Sequence, residues 1–173
     1  MLDLEYLATL LEKNREAAKA RVQEFSIGSK HFAFNTQPYI MGVINLSPDS
    51  WYRESVCLNA DQAIRRGKLL AVQGADIIDI GAESTLAHAA RAADALQNSK
   101  LLPVVEALRD HIISVETYSP EVVERCLAAG AKILNLTGSD PQVKIRHSRP
   151  QLADCPVFSV RVGGDPQAAL VAL

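Results

Sequence analysis

The sequence predicts an α/β fold built on parallel strands, and three observations carry that expectation. Short apolar runs, each too brief for a helix and closed by turn residues, recur along the chain. Segments with helical apolar spacing separate them, giving a strand–helix–strand repeat of roughly thirty residues, the signature of right-handed crossovers. The runs are apolar on both faces, as a sheet covered on both sides requires. Pattern alone leaves two architectures open, a closed barrel and a flavodoxin-like open sheet.

The elements follow in order. Leu4, Leu7, Leu11, Ala18 and Val22 recur at helical spacing among Glu, Lys and Arg, predicting an amphipathic helix over residues 3–24 that packs on its own domain. Residues 25–34 place apolar side chains on either side of Gly28-Ser29, which predicts a hairpin. Residues 40–45 read as the first buried strand. A helix follows with Ala60, Ala63, Ile64, Gly67, Leu70 and Ala71 on one face, Asn59 as its cap and Gly74 as a left-handed stop. Residues 76–80 form the second strand, and a long loop leads to a helix around residues 101–109. The third strand is 112–116. Ser119-Pro120-Glu121 is a helix start, with a cap, a proline in the first turn and an acid at the positive dipole end. That helix carries Val122, Val123, Cys126 and Leu127 and stops at Gly130. Residues 132–136 and 156–160 are the fourth and fifth strands. Pro141 and Pro150 make the segment between them a poor helix, and residues 165–173 open like one.

A chain of 173 residues can bury one core, and its 48% hydrophobic and 22% charged content is that of a globular protein. The net charge of -2 gives no reason to expect nucleic acid or an anionic membrane as partner. No apolar run is long enough to span a bilayer, and Asp3, Glu5, Glu12 and Lys13 break up any leader-like segment. Cys57, Cys126 and Cys155 are odd in number, far apart and without C-x-x-C spacing, so they read as small core residues of a cytoplasmic protein.

The candidate chemistry falls at the C-terminal strand ends, where parallel α/β proteins build their sites. Strand one ends in Asn45-Leu-Ser-Pro-Asp-Ser50, strand two in Asp79-Ile-Gly-Ala-Glu-Ser-Thr85, strand three in Glu116-Thr117 and strand four in Asn135. An apolar strand that closes on Asp, Glu or Asn sets a costly polar group in a cavity. Together these side chains offer donors and acceptors for a flat, amide-rich heterocycle of the pterin kind. Asn45 offers a neutral oxygen to a metal-bound diphosphate. No Walker-type or G-x-G-x-x-G loop is present, so nucleotide binding by those routes has no support.

Met41-Gly-Val-Ile-Asn-Leu-Ser-Pro-Asp-Ser50 resembles the first-strand signature of the dihydropteroate synthase family, and Gly74-Ala-Asp-Ile-Ile-Asp-Ile-Gly-Ala-Glu-Ser-Thr85 resembles the second. Leu102-Pro-Val-Val-Glu-Ala-Leu108, Ser114-Val-Glu-Thr-Tyr118 and Ala129-Gly-Ala-Lys-Ile-Leu-Asn135 resemble the next helix and strands, so the likeness covers about residues 25–165. It implies a pterin-binding (β/α)8 TIM barrel of which this chain carries about five βα units. Residues 1–24 form an N-terminal helix and 25–173 the partial barrel domain. It implies a transferase of folate biosynthesis that joins 6-hydroxymethyl-7,8-dihydropterin diphosphate to p-aminobenzoate with Mg2+. Asn45 would lie at the metal and diphosphate, Asp79, Glu116 and Asn135 around the pterin, and Ser84 and Thr85 in the loop facing the aminobenzoate. A homodimer of the complete protein is implied as well.

Arg53 stands where the family has an acid, Leu86 where it has an arginine, Glu116 where it has Asp, and Leu136 where Asp is common. The family's anion-gripping Lys, Arg and His come from later strands, and Lys144, Arg146 and His147 read as surface charges between strands four and five. The chain alone is therefore expected to be a poor enzyme, since a full barrel needs about 250 residues. Two rivals share the fold: a pterin-barrel methyltransferase domain serving a corrinoid protein, and a divergent paralogue that binds without catalysis. The Asn-Leu-Ser-Pro-Asp-Ser motif favours the synthase over the methyltransferase.

Overall fold

A computed structural model describes residues 3–21, 24–50, 52–84, 91–137 and 157–160; for Leu136, Thr137 and 157–160 it describes the strand path. The N-terminal segment is helical in two pieces, α1 (Leu4–Lys13) and α2 (Arg15–Ala18). Asp3 caps α1 by accepting from the Tyr6 amide at 2.8 Å. Asn14 breaks the run, because its side-chain amide donates to the Leu10 carbonyl at 2.8 Å and competes with the helix ladder. Neither piece has a buried residue, and Leu4 is 84% exposed. The expected packing of this segment on its own domain is therefore not found. The base of the sheet, which it could otherwise cover, is filled by the hairpin.

That hairpin pairs β1 (Phe25–Ile27) with β2 (Lys30–Phe32) through a turn in which Gly28 has φ 59°, a left-handed conformation that suits glycine. Phe25, Phe32, Phe34 and Tyr39 cluster with centroids 4.9–5.8 Å apart, some pairs stacked and Phe34 edge-on to Tyr39. Phe32 packs with Ile77 and Ile133, at the N-terminal ends of their strands, so the aromatic cluster plugs the bottom of the sheet. Asp76 fixes the arrangement: it pairs with Lys30 and accepts from the Ile40 amide at 2.8 Å.

The main sheet is β3 (Met41–Asn45), β4 (Ile77–Gly81), β5 (Ile113–Glu116), β6 (Ile133–Thr137) and β7 (Val157–Val160), all parallel and neighbours in chain order. The crossovers are α3 (Ala60–Val72), α4 (Asp94–Ala107) and α5 (Pro120–Ala129). Asn59 caps α3 by accepting from the Gln62 amide at 2.9 Å, and Ser119 caps α5. Gly74 and Gly130 follow α3 and α5 with φ 98° and 118°, the left-handed stops read from the sequence.

Alternation along the strands sorts the residues. Ile44, Ile78, Ile80, Ile113 and Val115 meet Ala63, Leu101, Val104, Leu108, Val122 and Cys126 beneath the helices. The opposite face carries the polar residues and the hairpin plug. A flavodoxin-like sheet reverses its strand order at a switch point. Sequential order with helices on one face is instead the wall of a (β/α)8 barrel, seen here as an arc of five strands.

Candidate functional site

Strand register assembles the site. Asn45 lies opposite Gly81, Gly81 opposite Glu116, and Glu116 opposite Asn135, forming one row across the inner face. One pleat nearer the hairpin runs a second row, Val43, Asp79, Ser114 and Ile133. Asn135 reaches down across β5 and its Nδ2 donates to Asp79 Oδ2 at 3.1 Å. Asp79 is 3% exposed, and this burial raises its pKa above the ordinary carboxylate value; Ser114 and Asn135 beside it pull the other way. Ser114 offers no hydrogen bond of good geometry, and Asp79 Oδ1, Ser114 Oγ and Asn135 Oδ1 are all buried without a partner. Orphaned polar atoms are costly in a core, and three of them on one inner face mark a surface made to be completed by something polar.

Asn45 sits between β4 and a returning loop. Its carbonyl accepts from the Cys57 amide at 2.8 Å, and the Leu46 amide donates to the Gly81 carbonyl at 2.7 Å. Its side-chain Nδ2 donates to Ser55 Oγ at 2.7 Å, which leaves Oδ1 on the side of Gly81. A Cβ on Gly81 would lie 3.1 Å from Glu116 Oε2 and 3.6 Å from Asn45 Oδ1. The glycine thus keeps open a space bordered by both the Glu116 carboxylate and Asn45 Oδ1. Among the described residues no three His, Cys, Asp or Glu side chains group as a metal cage. Asn45 Oδ1 with Glu116 nearby still suits Mg2+, which takes one or two protein oxygens and fills its shell with water and substrate phosphate.

Above β4 and β5 a second network holds the rim. Glu83 accepts from the Ala92 amide at 3.1 Å, from Gln97 Nε2 at 3.4 Å, and pairs with Arg91 at 3.4 Å. Thr117 Oγ1 donates to Gln97 Oε1 at 2.9 Å, and the Arg91 guanidinium lies 4.1 Å over the Tyr118 ring. Arg91 is thereby committed to the rim. Ser84 is buried there, its Oγ donating to the Asp49 carbonyl at 3.4 Å, so it joins the β4 end to the loop after β3.

The structure therefore brings Asn45, Asp79, Glu116 and Asn135 onto one face, with Ser84 at its edge. Thr85, Leu86, Lys144, Arg146 and His147 lie outside the described residues. Sequence reasoning missed Ser55, Gln97 and Ser114. Gln97 had a signal: it stands at helical spacing with Leu101, Val104 and Leu108, a polar side chain on a buried stripe. Cys57 and Cys126 are buried free thiols, as the sequence implied, and burial pushes Cys126 up to about 12.

Residues 41–147 match the family model described as pterin binding enzyme, which is more than half of the chain. A mitochondrial folate synthesis bifunctional protein of Arabidopsis thaliana is 34% identical over 146 residues, 81% of this chain and 26% of that protein. A Yersinia pestis dihydropteroate synthase, solved as a sulfonamide drug complex, superposes with a TM-score of 0.68 at 26% identity, over 83% of this chain and 53% of that one. A Coxiella burnetii dihydropteroate synthase in complex with pteroic acid gives 0.53 at 34% identity, over 62% of this chain and 38% of that one. The chain thus spans about half or less of these proteins.

Proposed function

Because this chain belongs to the pterin-binding enzyme family, we propose that it forms the pterin-binding wall of a dihydropteroate synthase-type transferase, acting on a dihydropterin diphosphate and p-aminobenzoate. Asp79 and Glu116 accept hydrogen bonds from the amino group and ring N–H of the pterin, and Asn135 both donates and accepts at its edge. Asn45 Oδ1 faces the diphosphate and its Mg2+. When bound, that ion neutralises charge developing on the leaving diphosphate. The chain's own residues hold the ring so that its methylene carbon faces the arylamine, which enters from the Ser84–Thr85 side. The same reading carries a homodimeric complete protein in the cytoplasm, with no nucleic-acid or membrane partner.

One observation carries this reading furthest. Asp79 Oδ1, Asn135 Oδ1 and Ser114 Oγ are buried and unpartnered on a single inner face, and a pterin edge presents the donors and acceptors that would complete them. Dihydropteroate synthases among the solved neighbours, one of them holding pteroic acid, support the choice of ligand.

Calorimetry with 6-hydroxymethylpterin tests it. Asp79→Ala should weaken binding about tenfold or more, the scale of a lost hydrogen bond to a charged group, and Asn135→Ala about two- to tenfold, the scale of a neutral one. Asn45→Ala should leave plain pterin binding unchanged and weaken Mg2+-dependent binding of the diphosphate ester. Equal loss of both ligands on Asn45→Ala contradicts the assignment.

A further inference from the structure

The inner face holds one polar contact that the roles above leave unexplained. Ser55 is fully buried in the helical turn Arg53–Ser55, and its hydroxyl is used twice. Ser55 Oγ donates to the Tyr52 carbonyl at 2.7 Å and accepts from Asn45 Nδ2 at 2.7 Å. A carbonyl can only accept, so the single hydroxyl proton is spent on Tyr52 and only lone pairs face Asn45. The amide must then present its NH2 to Ser55. The opposite orientation sets two oxygens against each other, or else draws the proton away from Tyr52.

We propose that Ser55 fixes which end of the Asn45 amide faces the site, and is thereby a positioning residue for the cation and diphosphate. This rests on the reading of Asn45 given above. An amide offers an oxygen on one side and two N–H donors on the other, and only the oxygen can bind a cation. With Ser55 in place, Oδ1 lies on the Gly81 side, toward Glu116. Without it, the amide can turn its NH2 to the same space, and metal binding must first select the right orientation. Ser55 acts through Asn45, as an outer-shell hydrogen bond orients a ligand.

The test is a double-mutant cycle in the full chain, with Mn2+ as the probe cation. Free Mn2+ is read by electron paramagnetic resonance in the presence of dihydropterin diphosphate, and plain 6-hydroxymethylpterin binding by calorimetry. Ser55→Ala should weaken Mn2+ binding about two- to tenfold, the range of one net hydrogen bond, and leave pterin binding unchanged. In an Asn45→Asp background both side-chain oxygens are acceptors, so orientation no longer matters; Ser55→Ala there removes only an oxygen set against an oxygen and should not weaken Mn2+ binding. If Ser55→Ala unfolds the chain, Ser55→Cys, which keeps the volume but hydrogen bonds weakly, is compared in both backgrounds. Equal losses in the two backgrounds would show loop damage and overturn the proposal. No loss on Ser55→Ala, with Asn45→Ala defective, overturns it while sparing the role of Asn45. Equal Mn2+ binding by the unmodified chain and Asn45→Ala removes that role and the proposal with it.

Discussion

The Asn135 amide donates to Asp79 Oδ2 at 3.1 Å, tying β6 to β4 across the intervening β5. The contact is buried, and it leaves Asp79 Oδ1 and Asn135 Oδ1 without a partner. A pair only half satisfied in this way lowers stability in exchange for a face that can hold a ligand.

Asp79→Asn should separate the two properties. Burial raises the folded pKa of Asp79, so between its unfolded value near 3.8 and the higher folded value the native state binds more protons. Stability must therefore fall as pH rises through that window. The amide variant has no such titration, and its NH2 can donate to Ser114 Oγ or Asn135 Oδ1. It should be about 1 kcal/mol more stable at neutral pH, lose the downward slope above pH 4 in urea unfolding, and bind 6-hydroxymethylpterin about tenfold more weakly.

Gly81→Ala places a methyl 3.1 Å from Glu116 Oε2. The carboxylate ends a flexible, half-buried side chain and can yield, so urea unfolding should change by less than about 1 kcal/mol. Calorimetry should nonetheless show weaker binding of the diphosphate ester, because the methyl and the displaced carboxylate occupy the space that Asn45 Oδ1 borders.

Gly67→Ala pits two effects against each other. Replacing a mid-helix glycine by alanine favours α3 by roughly 1 kcal/mol through propensity alone. Here the new methyl would land on Leu108 Cδ1, closer than any real contact, and Leu108 is buried between α3 and α4. Overpacking costs about 1–3 kcal/mol, so the net effect on the urea midpoint should be destabilising.

Asp76 is held below the ordinary carboxylate range, first by its hydrogen bond from Lys30 and then by the Ile40 amide. Its contribution is complete above its unfolded pKa of about 3.8 and is lost as pH falls through the lower folded value. Asp76→Asn should therefore destabilise the chain by about 1 kcal/mol at pH 7. The difference from the unmodified protein should shrink in unfolding measured at successively lower pH below about 3.8.

Much of this architecture was legible in the sequence because strands buried on both faces, and helices with capped starts and glycine stops, write themselves as local patterns. Asn59, Ser119, Gly74 and Gly130 act where the sequence put them. The first half of α4 was not legible: its buried positions include Gln97 and Asn98, and a polar stripe carries no hydrophobic period. The strand ends identified Asn45, Asp79, Glu116 and Asn135 one by one. Their union required the register, since a slip of one residue would send each to the helix-covered face. Ser55 was hidden for a different reason: its role comes from a loop folding back beside β3, a contact with no periodic trace. The amphipathic spacing of residues 3–24 was real, yet it said nothing about whether a surface remained for that face to cover.

The most direct test is a crystal structure of the chain with 6-hydroxymethylpterin. The ring should lie on the inner face of β4, β5 and β6, within about 3.2 Å of Asp79 and Asn135, with Asp79 Oδ1 no longer without a partner. A ring bound elsewhere, for instance in the outer groove between α4 and α5 lined by Asn98, Leu102, Pro103 and Arg125, with the Asp79–Asn135 pair untouched, would contradict the account.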